Sequence, residues 1–193
     1  MKHSKIDVRD TLVLFADLQA GIADLPLTVP YPKLQKGVLA LSRLAHLLGM
    51  PAIISAVQGQ DGSPAKIMEE ITQGLGPLPI HYRTTADSFE NQVIKQAIEA
   101  TGRKTLLIAG AATEVAVQLP ALSGGDLGYR VFLVIDAVAG ISGRTEEAAL
   151  RRIAQAGGST VSVATLSGEL AGDFSQPTAQ QAVKILFEMV GGE

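Results

Sequence analysis

The sequence predicts a three-layer α/β/α sandwich around a mainly parallel, six-stranded sheet with Rossmann-type topology. Six short runs are rich in β-branched and aliphatic residues, and most of them are apolar at successive rather than alternate positions. Such runs are typical of strands that are covered on both faces, as in a parallel sheet. Segments with helical period lie between the runs, so strand and helix alternate along the chain, which favours right-handed crossovers.

Each apolar run predicts one strand, and the third run is weaker than the others. The six predicted strands span residues 12–16, 52–57, 79–83, 106–109, 131–135 and 161–164.

Helical period predicts four helices. The first ends at Gly49, a typical C-terminal stop; the second begins behind Ser88, the third precedes Gly157 and Gly158, and the last covers 179–190. The apolar positions are Leu34, Val38, Leu41, Ala45 and Leu48 in the first helix, Phe89, Val93, Ile94, Ala97 and Ile98 in the second, and Ala148 and Ile153 in the third.

Length and composition favour one domain over residues 1–193, since no linker or repeat divides the chain. Hydrophobic residues make up 47% of the chain and charged residues 18%, which is below the usual fraction of about 25%. The chain can therefore bury a large core, and part of its apolar surface is expected to meet another subunit in a homo-oligomer.

Several classes of function are excluded by what the sequence lacks. With no cysteine, there is no thiol nucleophile, disulfide or thiolate metal site. With a net charge of −3 and no run of Lys or Arg, the sequence shows no basic segment for binding nucleic acid. No uncharged stretch reaches the roughly 18 residues of a membrane span, and no signal peptide opens the chain, so a cytoplasmic protein is expected. His3, His46 and His81 lack metal-ligand spacing, and neither a G-x-S-x-G elbow nor a Walker loop occurs, so no metal or cofactor is predicted.

Ligands of open parallel sheets bind beyond the carboxyl ends of the strands, where this chain places Asp17, Gln58, Arg83, Gly110 and Asp136. Asp17 is either a site residue or an acid that caps a neighbouring loop. Arg83 could form a bidentate pair with a carboxylate or a purely structural ion pair. For Asp136 a turn-making role is favoured.

The segment IAGAATEVAV predicts a strand, a sharp turn of small residues and a helix that opens near Thr113. Free amides at a helix start attract developing negative charge, so the turn could form an oxyanion hole. The alternative is an ordinary connection with Thr113 as the helix N-cap.

These segments resemble the isochorismatase-like or cysteine hydrolase superfamily, and in particular its small YcaC-type subgroup. The resemblance covers nearly the whole chain. It is carried by the acid in LVLFADLQAGI, the basic Arg83 ahead of a helix with Phe89, the long stretch AIEATGRKTLLIAGAATEVAVQLPALS, the following GYRVFLVIDA, and RTEEAALRRIAQAGG.

The resemblance implies a general base, a supporting lysine and a nucleophilic cysteine at the start of the helix after the fourth strand. By position, Asp17 matches the acid, Arg83 the lysine and Ala116 the cysteine. The family's oxyanion hole implies backbone amides of Ala112 and Ala116, beside a cis peptide that would join Ala112 to Thr113.

The resemblance also suggests residues that line the cavity. Gln19, Phe89, Thr113 and Leu119 are expected to contact the substrate. The family relationship further implies a tetramer or octamer, in which a neighbouring subunit can complete the site.

Since Ala116 has no nucleophile, thioester chemistry is excluded. Asp17 could still protonate a vinyl ether, as in isochorismatases proper, or activate water against an amide or ester. Arg83 is expected to lower the pKa of Asp17 and to hold it ionised, which weakens the first route. The remaining alternatives are an inactive binding or scaffold protein, and an alanine engineered to trap a ligand. The residues favour a hydrolase.

Overall fold

The centre of the structure, a computed structural model that describes residues 5–59 and 62–191, is a parallel sheet of six strands. His3 lies outside the described residues. The strands are β1 (Thr11–Ala16), β2 (Ala52–Val57), β3 (Ile80–Arg83), β4 (Thr105–Ala111), β5 (Arg130–Ala139) and β6 (Ser159–Val161).

The strand order is β3-β2-β1-β4-β5-β6. The chain therefore fills one side of β1 first and then crosses to the other side, so the order reverses between β1 and β4. In register, Ala16 at the end of β1 lies beside Ser55 of β2 and Gly110 of β4. A crevice outside the carboxyl ends of the strands is expected at this reversal, and Asp17 follows at that point.

Helices cover both faces of the sheet. On one face Val13 and Phe15 pack with α1, and on the other Leu12 and Leu14 pack with Ile94 and further helices. The helices are α1 (Tyr31–Leu47), α2 (Glu69–Leu75), α3 (Gln92–Ala100), α4 (Gln118–Asp126), α5 (Gly143–Gln155), α6 (Val163–Ala171) and α7 (Pro177–Gly191). Because adjacent residues of β1 enter opposite layers, both faces must be apolar, which confirms the predicted three-layer sandwich.

The predicted C-terminal boundary of the sixth strand is wrong. It was expected over 161–164, but β6 ends at Val161 and α6 begins at Val163. The hydroxyl of Ser162 accepts from the amide of Thr165, and the carboxylate of Asp136 accepts from the amide of Val163 at 2.6 Å. These two caps stabilise a helix in an apolar segment that sequence pattern alone assigns to a strand.

The second and third predicted helices also need correction. Phe89 lies in a short 3-10 turn (Ser88–Glu90), and Asn91 caps α3 behind it. Val93 was expected on the buried stripe but is 61% exposed, and in α5 Ala149 rather than Ala148 is buried. Two short helices, α2 and α6, were not predicted.

Close packing between α1 and β5 depends on Gly37. A Cβ at this position would stand 1.8 Å from the backbone oxygen of Asp136. Such a contact is impossible without movement of the helix or of the strand. The absence of a side chain at Gly37 therefore sets the distance between α1 and the sheet.

We expect Gly37→Ala to lower the free energy of unfolding by about 2 kcal/mol or more, because overpacking outweighs the better helix propensity of alanine. Urea denaturation would measure the loss. Gly168→Ala in α6 is the matched control, since nothing lies within 4 Å of its added Cβ. That variant should gain up to about 1 kcal/mol. Equal effects of the two variants would contradict the packing argument.

Candidate active site

Asp17 leaves the end of β1 in an unusual backbone conformation. Its φ is 53°, in the left-handed region that aspartate tolerates better than most residues. The amide of Asp17 still donates to the carbonyl of Ser55 at 2.9 Å, and its own carbonyl accepts from the amide of Gln19 at 2.9 Å. The chain thus turns sharply just beyond the sheet, and the Asp17 side chain stays at the sheet edge.

Arg83 at the end of β3 forms a buried ion pair with Asp17. Its Nη2 donates to Oδ2 of Asp17 at 2.6 Å, and the two side chains are 2% and 9% exposed. The other carboxylate oxygen, Oδ1 of Asp17, is buried and has no hydrogen-bond partner within the described residues. The pair is therefore joined through one oxygen and not through both, as a bidentate contact would require.

Each nitrogen of the Arg83 guanidinium has a partner. Nε donates to the hydroxyl of Ser55 at 3.1 Å, and Nη1 donates to the carbonyl of Thr85. The hydroxyl of Ser55 in turn lies 2.9 Å from that of Ser88. Ser55 thus holds the guanidinium in the orientation that leaves only Nη2 for Asp17. None of the sequence patterns pointed to Ser55 or Ser88.

Burial raises the pKa of the Asp17 carboxyl above its ordinary value, and the opposing attraction and hydrogen bond of Arg83 do not reverse this direction. Arg83 lowers the pKa of Asp17 as expected, but the effect of burial is larger, so the expected net lowering of this pKa is wrong. One physical reason is the single contact: Oδ2 is stabilised by the guanidinium, whereas Oδ1 is desolvated without compensation.

The turn after β4 lies directly beside the end of β1. A Cβ on Gly110 would stand 2.6 Å from the carbonyl oxygen of Ala16 and 2.9 Å from a methyl of Val117. Glycine at this position allows the segment after β4 to pack onto the β1 edge. The structure thus brings the turn next to the strand that carries Asp17.

Residues Thr113–Val117 form a π-helical turn ahead of α4. A cis peptide joins Ala111 to Ala112, one position before the expected bond between Ala112 and Thr113. The amide of Ala116 donates to the carbonyl of Ala112 at 3.0 Å and so is already engaged. No acceptor for the Ala112 amide is found in the described part of the chain.

Ala116 is 1% exposed and belongs to an apolar cluster that includes Ala16 and Phe89. Phe89 also packs on Tyr129, with ring centroids 5.7 Å apart, and Leu119 is half-buried. The position of the expected nucleophile is therefore surrounded by apolar side chains, close to the end of β1.

Three other predicted site residues have structural partners. Both polar atoms of the Gln19 side chain bond the backbone of Val57, at 2.9 and 3.1 Å. Thr113 donates from its hydroxyl to Glu146 at 2.8 Å and is not a side-chain N-cap. Asp136 lies within β5 and caps α6, so the expected turn-making role is wrong.

Two further observations concern metal sites and membrane spans in the described residues. Within the described ranges, no group of three His, Asp or Glu side chains is placed to hold a metal ion. None of the helices in the same part of the chain is long and apolar enough to cross a membrane.

Comparison with known proteins gives a family match over most of the chain. Residues 11–165 match the Isochorismatase domain family. "Probable hydrolase YcaC" of Escherichia coli is 33% identical over 156 residues, which cover 80% of this chain and 74% of that protein.

Solved structures agree with this match. The crystal structure of the YcaC gene product of E. coli, described as an octameric hydrolase of unknown specificity, superposes with a TM-score of 0.88 at 30% identity, over 98% of this chain and 92% of that one. YcaC of Pseudomonas aeruginosa, solved with hexane-2,5-diol and covalent acrylamide, has a TM-score of 0.86 at 27% identity, over 100% and 93% of the two chains.

We expect Ser55→Ala to lower the free energy of unfolding by about 1–3 kcal/mol, because it leaves Nε of Arg83 buried without an acceptor. Ser42→Ala is the matched control: its hydroxyl is also buried but has no partner within the described residues, so its removal should cost less than about 0.5 kcal/mol. Urea denaturation of both variants checks this. Equal losses would show that Ser55 does not hold the guanidinium.

Proposed function

The chain belongs to the isochorismatase family, and from this premise we propose that it hydrolyses a small molecule without a covalent enzyme intermediate, with Asp17 as the acid or base. Its relative YcaC is described as a probable hydrolase. The candidate substrates are an amide, an ester or a vinyl ether. The chain has no cysteine, so a thioester intermediate is excluded, and we propose that water attacks the substrate directly.

The observation that carries this proposal is the free oxygen of Asp17. Oδ1 is buried without a partner while Oδ2 is held by Arg83 at 2.6 Å. Burial also raises the pKa of this carboxyl, so a larger fraction carries a proton at mildly acidic pH than for an ordinary aspartate. Such a group suits general acid–base catalysis, because its pKa lies closer to the working pH.

In the acid route Asp17 donates its proton to the terminal carbon of a vinyl ether, and the ether oxygen stabilises the resulting cation. Water adds to the cationic carbon and returns one proton to Asp17. The hemiketal then collapses to a ketone and an alcohol, so the net reaction consumes one water. In the base route ionised Asp17 takes a proton from a water molecule while that water attacks the carbonyl of an amide or ester. The tetrahedral intermediate then collapses, Asp17 returns the proton to the departing amine or alcohol, and the other product is the carboxylic acid.

The turn after β4 supplies the stabilising group for the second route. The amide of Ala112 has no acceptor among the described residues, so it can donate to an oxyanion. The predicted second donor, the amide of Ala116, would have to leave the carbonyl of Ala112 to contribute. We therefore propose Ala112 as the main donor, with Gln19, Phe89, Thr113 and Leu119 forming the surroundings.

The alternative function is a binding or scaffold protein without catalysis. The specific observation in its favour is that Ala116 lies among apolar side chains and offers no reactive group. Either function is compatible with a homo-oligomer, which we propose because the E. coli relative is an octamer. A cytoplasmic location remains a prediction.

Turnover tests the proposal. Asp17→Asn should abolish hydrolysis in a panel of isochorismate, nicotinamide and simple amides and esters, whereas the exposed Asp24→Asn should retain it. For the wild type, kcat/KM should titrate with a pKa above the ordinary aspartate value of about 3.9. Activity falls as pH rises through that pKa in the acid route and rises in the base route. No turnover would favour the scaffold alternative, and turnover that survives Asp17→Asn would show that Asp17 is not the acid or base.

A restored thiol tests whether the turn still has the family's architecture. Acrylamide, found covalently bound in the P. aeruginosa relative, should not modify the wild-type chain at this site, because it has no cysteine. Ala116→Cys should react at least about tenfold faster than an ordinary thiol, since a helix start lowers the pKa of a cysteine. Val115→Cys is the matched control, one residue away and 43% exposed. Intact-mass measurement over time compares the two, and faster labelling of the exposed control would contradict the proposal.

A further inference from the structure

We infer that the Asp17 site selects an uncharged small molecule and discriminates against the corresponding carboxylate. The inference rests on the proposed function for the location of the site, and it narrows the substrate class that the reaction types leave open. It is based on the charged side chains at this edge of the sheet, where the described residues include several acids and no buried cation that is free to bind an anion.

The first observation concerns the buried charges. Among the described residues, the buried acidic and basic side chains are Asp17, Arg83 and Asp87. All three lie at the carboxyl ends of the strands: Asp17 follows β1, Arg83 ends β3, and Asp87 comes four residues later. Two carboxyls thus accompany one guanidinium in the low-dielectric interior, so the buried cluster has no surplus of positive charge to offer an anion.

The second observation is that Arg83 is already committed. Its three nitrogens donate to Asp17, Ser55 and the carbonyl of Thr85, and its side chain is 2% exposed. A bidentate contact with a substrate carboxylate would need a guanidinium with two free, parallel N–H groups. Arg83 could offer two such groups only by breaking its buried hydrogen bonds. Asp17 would then lose its ion-pair partner.

The third observation is a pair of acids on the other side of the turn. Glu114 accepts from the amide of Ile141 at 2.9 Å, and Glu146 accepts from the hydroxyl of Thr113 at 2.8 Å. Both carboxyl groups lie within 3.0 Å of the point where a Cβ on Gly140 would stand. Neither forms an ion pair with a residue in the described ranges.

The basic side chains near this edge of the sheet do not offset the negative charge of these acids. Lys66 contacts the loop after β1 through its backbone carbonyl, and Arg144 lies in the first turn of α5; both side chains are exposed. Exposed charges interact weakly because water and salt screen them. An incoming carboxylate would therefore lose its hydration beside acids and gain no desolvated cation.

An uncharged carbonyl compound fits the same groups. The amide of Ala112 is free to donate to a carbonyl oxygen, and Oδ1 of Asp17 is free to accept from an N–H or, when protonated, to donate. Apolar Phe89 and Ala116 lie in the cluster beside them. An amide without an acid group has an acceptor for the Ala112 amide and a donor for Oδ1, and an ester or enol ether has an acceptor for a protonated Asp17 or the Ala112 amide. Isochorismate, a dicarboxylate, would bring two further negative charges to this edge.

Matched ligand pairs test the inference by binding, independently of turnover. The probes are nicotinamide with nicotinate and benzamide with benzoate, measured by ligand-observed NMR titration of the full chain at neutral pH. We expect each amide to bind at least about tenfold more tightly than its acid, a factor that one like charge several ångströms away in a partly buried site can produce. Equal or tighter binding of the carboxylates, or no binding of either amide, would overturn the inference.

A variant removes one buried negative charge. Asp87→Asn keeps an oxygen for the amide of Phe89 and loses the oxygen that accepts from the hydroxyl of Ser123. It should reduce the preference for the amides by at least about threefold, and the exposed Asp126→Asn should leave it unchanged. Glu114→Gln serves the same purpose if Asp87→Asn does not fold, and an unchanged preference in the folded variant would count against the inference. Amide-selective binding without turnover would refute the proposed function alone, and hydrolysis of amides that also carry a carboxylate as readily as of uncharged amides would refute this inference alone.

Discussion

Ser55, at the end of β2, positions both residues of the buried ion pair between Asp17 and Arg83. β2 lies between β1 and β3 in the sheet, and its Ser55 contacts both neighbours: the carbonyl accepts from the amide of Asp17, and the hydroxyl accepts from Nε of Arg83. The pair between Asp17 and Arg83 therefore spans three adjacent strands. Removal of one partner of such a buried pair leaves an uncompensated charge, so the register of these strands and the site depend on each other.

The second requirement is space for the turn after β4. Gly110 allows Val117 and the carbonyl of Ala16 to approach closely, which places the π-helical turn against the end of β1. With alanine at position 116 this turn contributes backbone groups and apolar surface but no nucleophile. In the proposed function the reactive group that remains at this site is therefore the carboxyl of Asp17.

The sequence predicts the fold well because both faces of the central strands are buried, and this produces apolar runs such as Leu12 to Ala16. The sequence also identifies Asp17 and Arg83 as candidate site residues, since the carboxyl ends of parallel strands meet at one edge of the sheet. Ser55 and Ser88 could not be found in this way, because a buried hydroxyl has no sequence signature until the neighbouring strands are in register. The direction of the Asp17 pKa was missed for a similar reason: it depends on which oxygen is bonded and on how deeply the other is buried.

The replacement of a lysine by Arg83, relative to the family pattern, concentrates proton transfer on one residue. A guanidinium does not lose its proton under physiological conditions, whereas a lysine amine can do so when it is buried. Arg83 can therefore orient Asp17 but cannot exchange a proton with it or with a substrate. Because Oδ2 is occupied by Arg83, a proton that Asp17 gives or takes in the proposed reaction would pass through Oδ1. The missing thiol and the fixed cation thus lead to the same consequence, which is that the proposed chemistry depends on one oxygen atom.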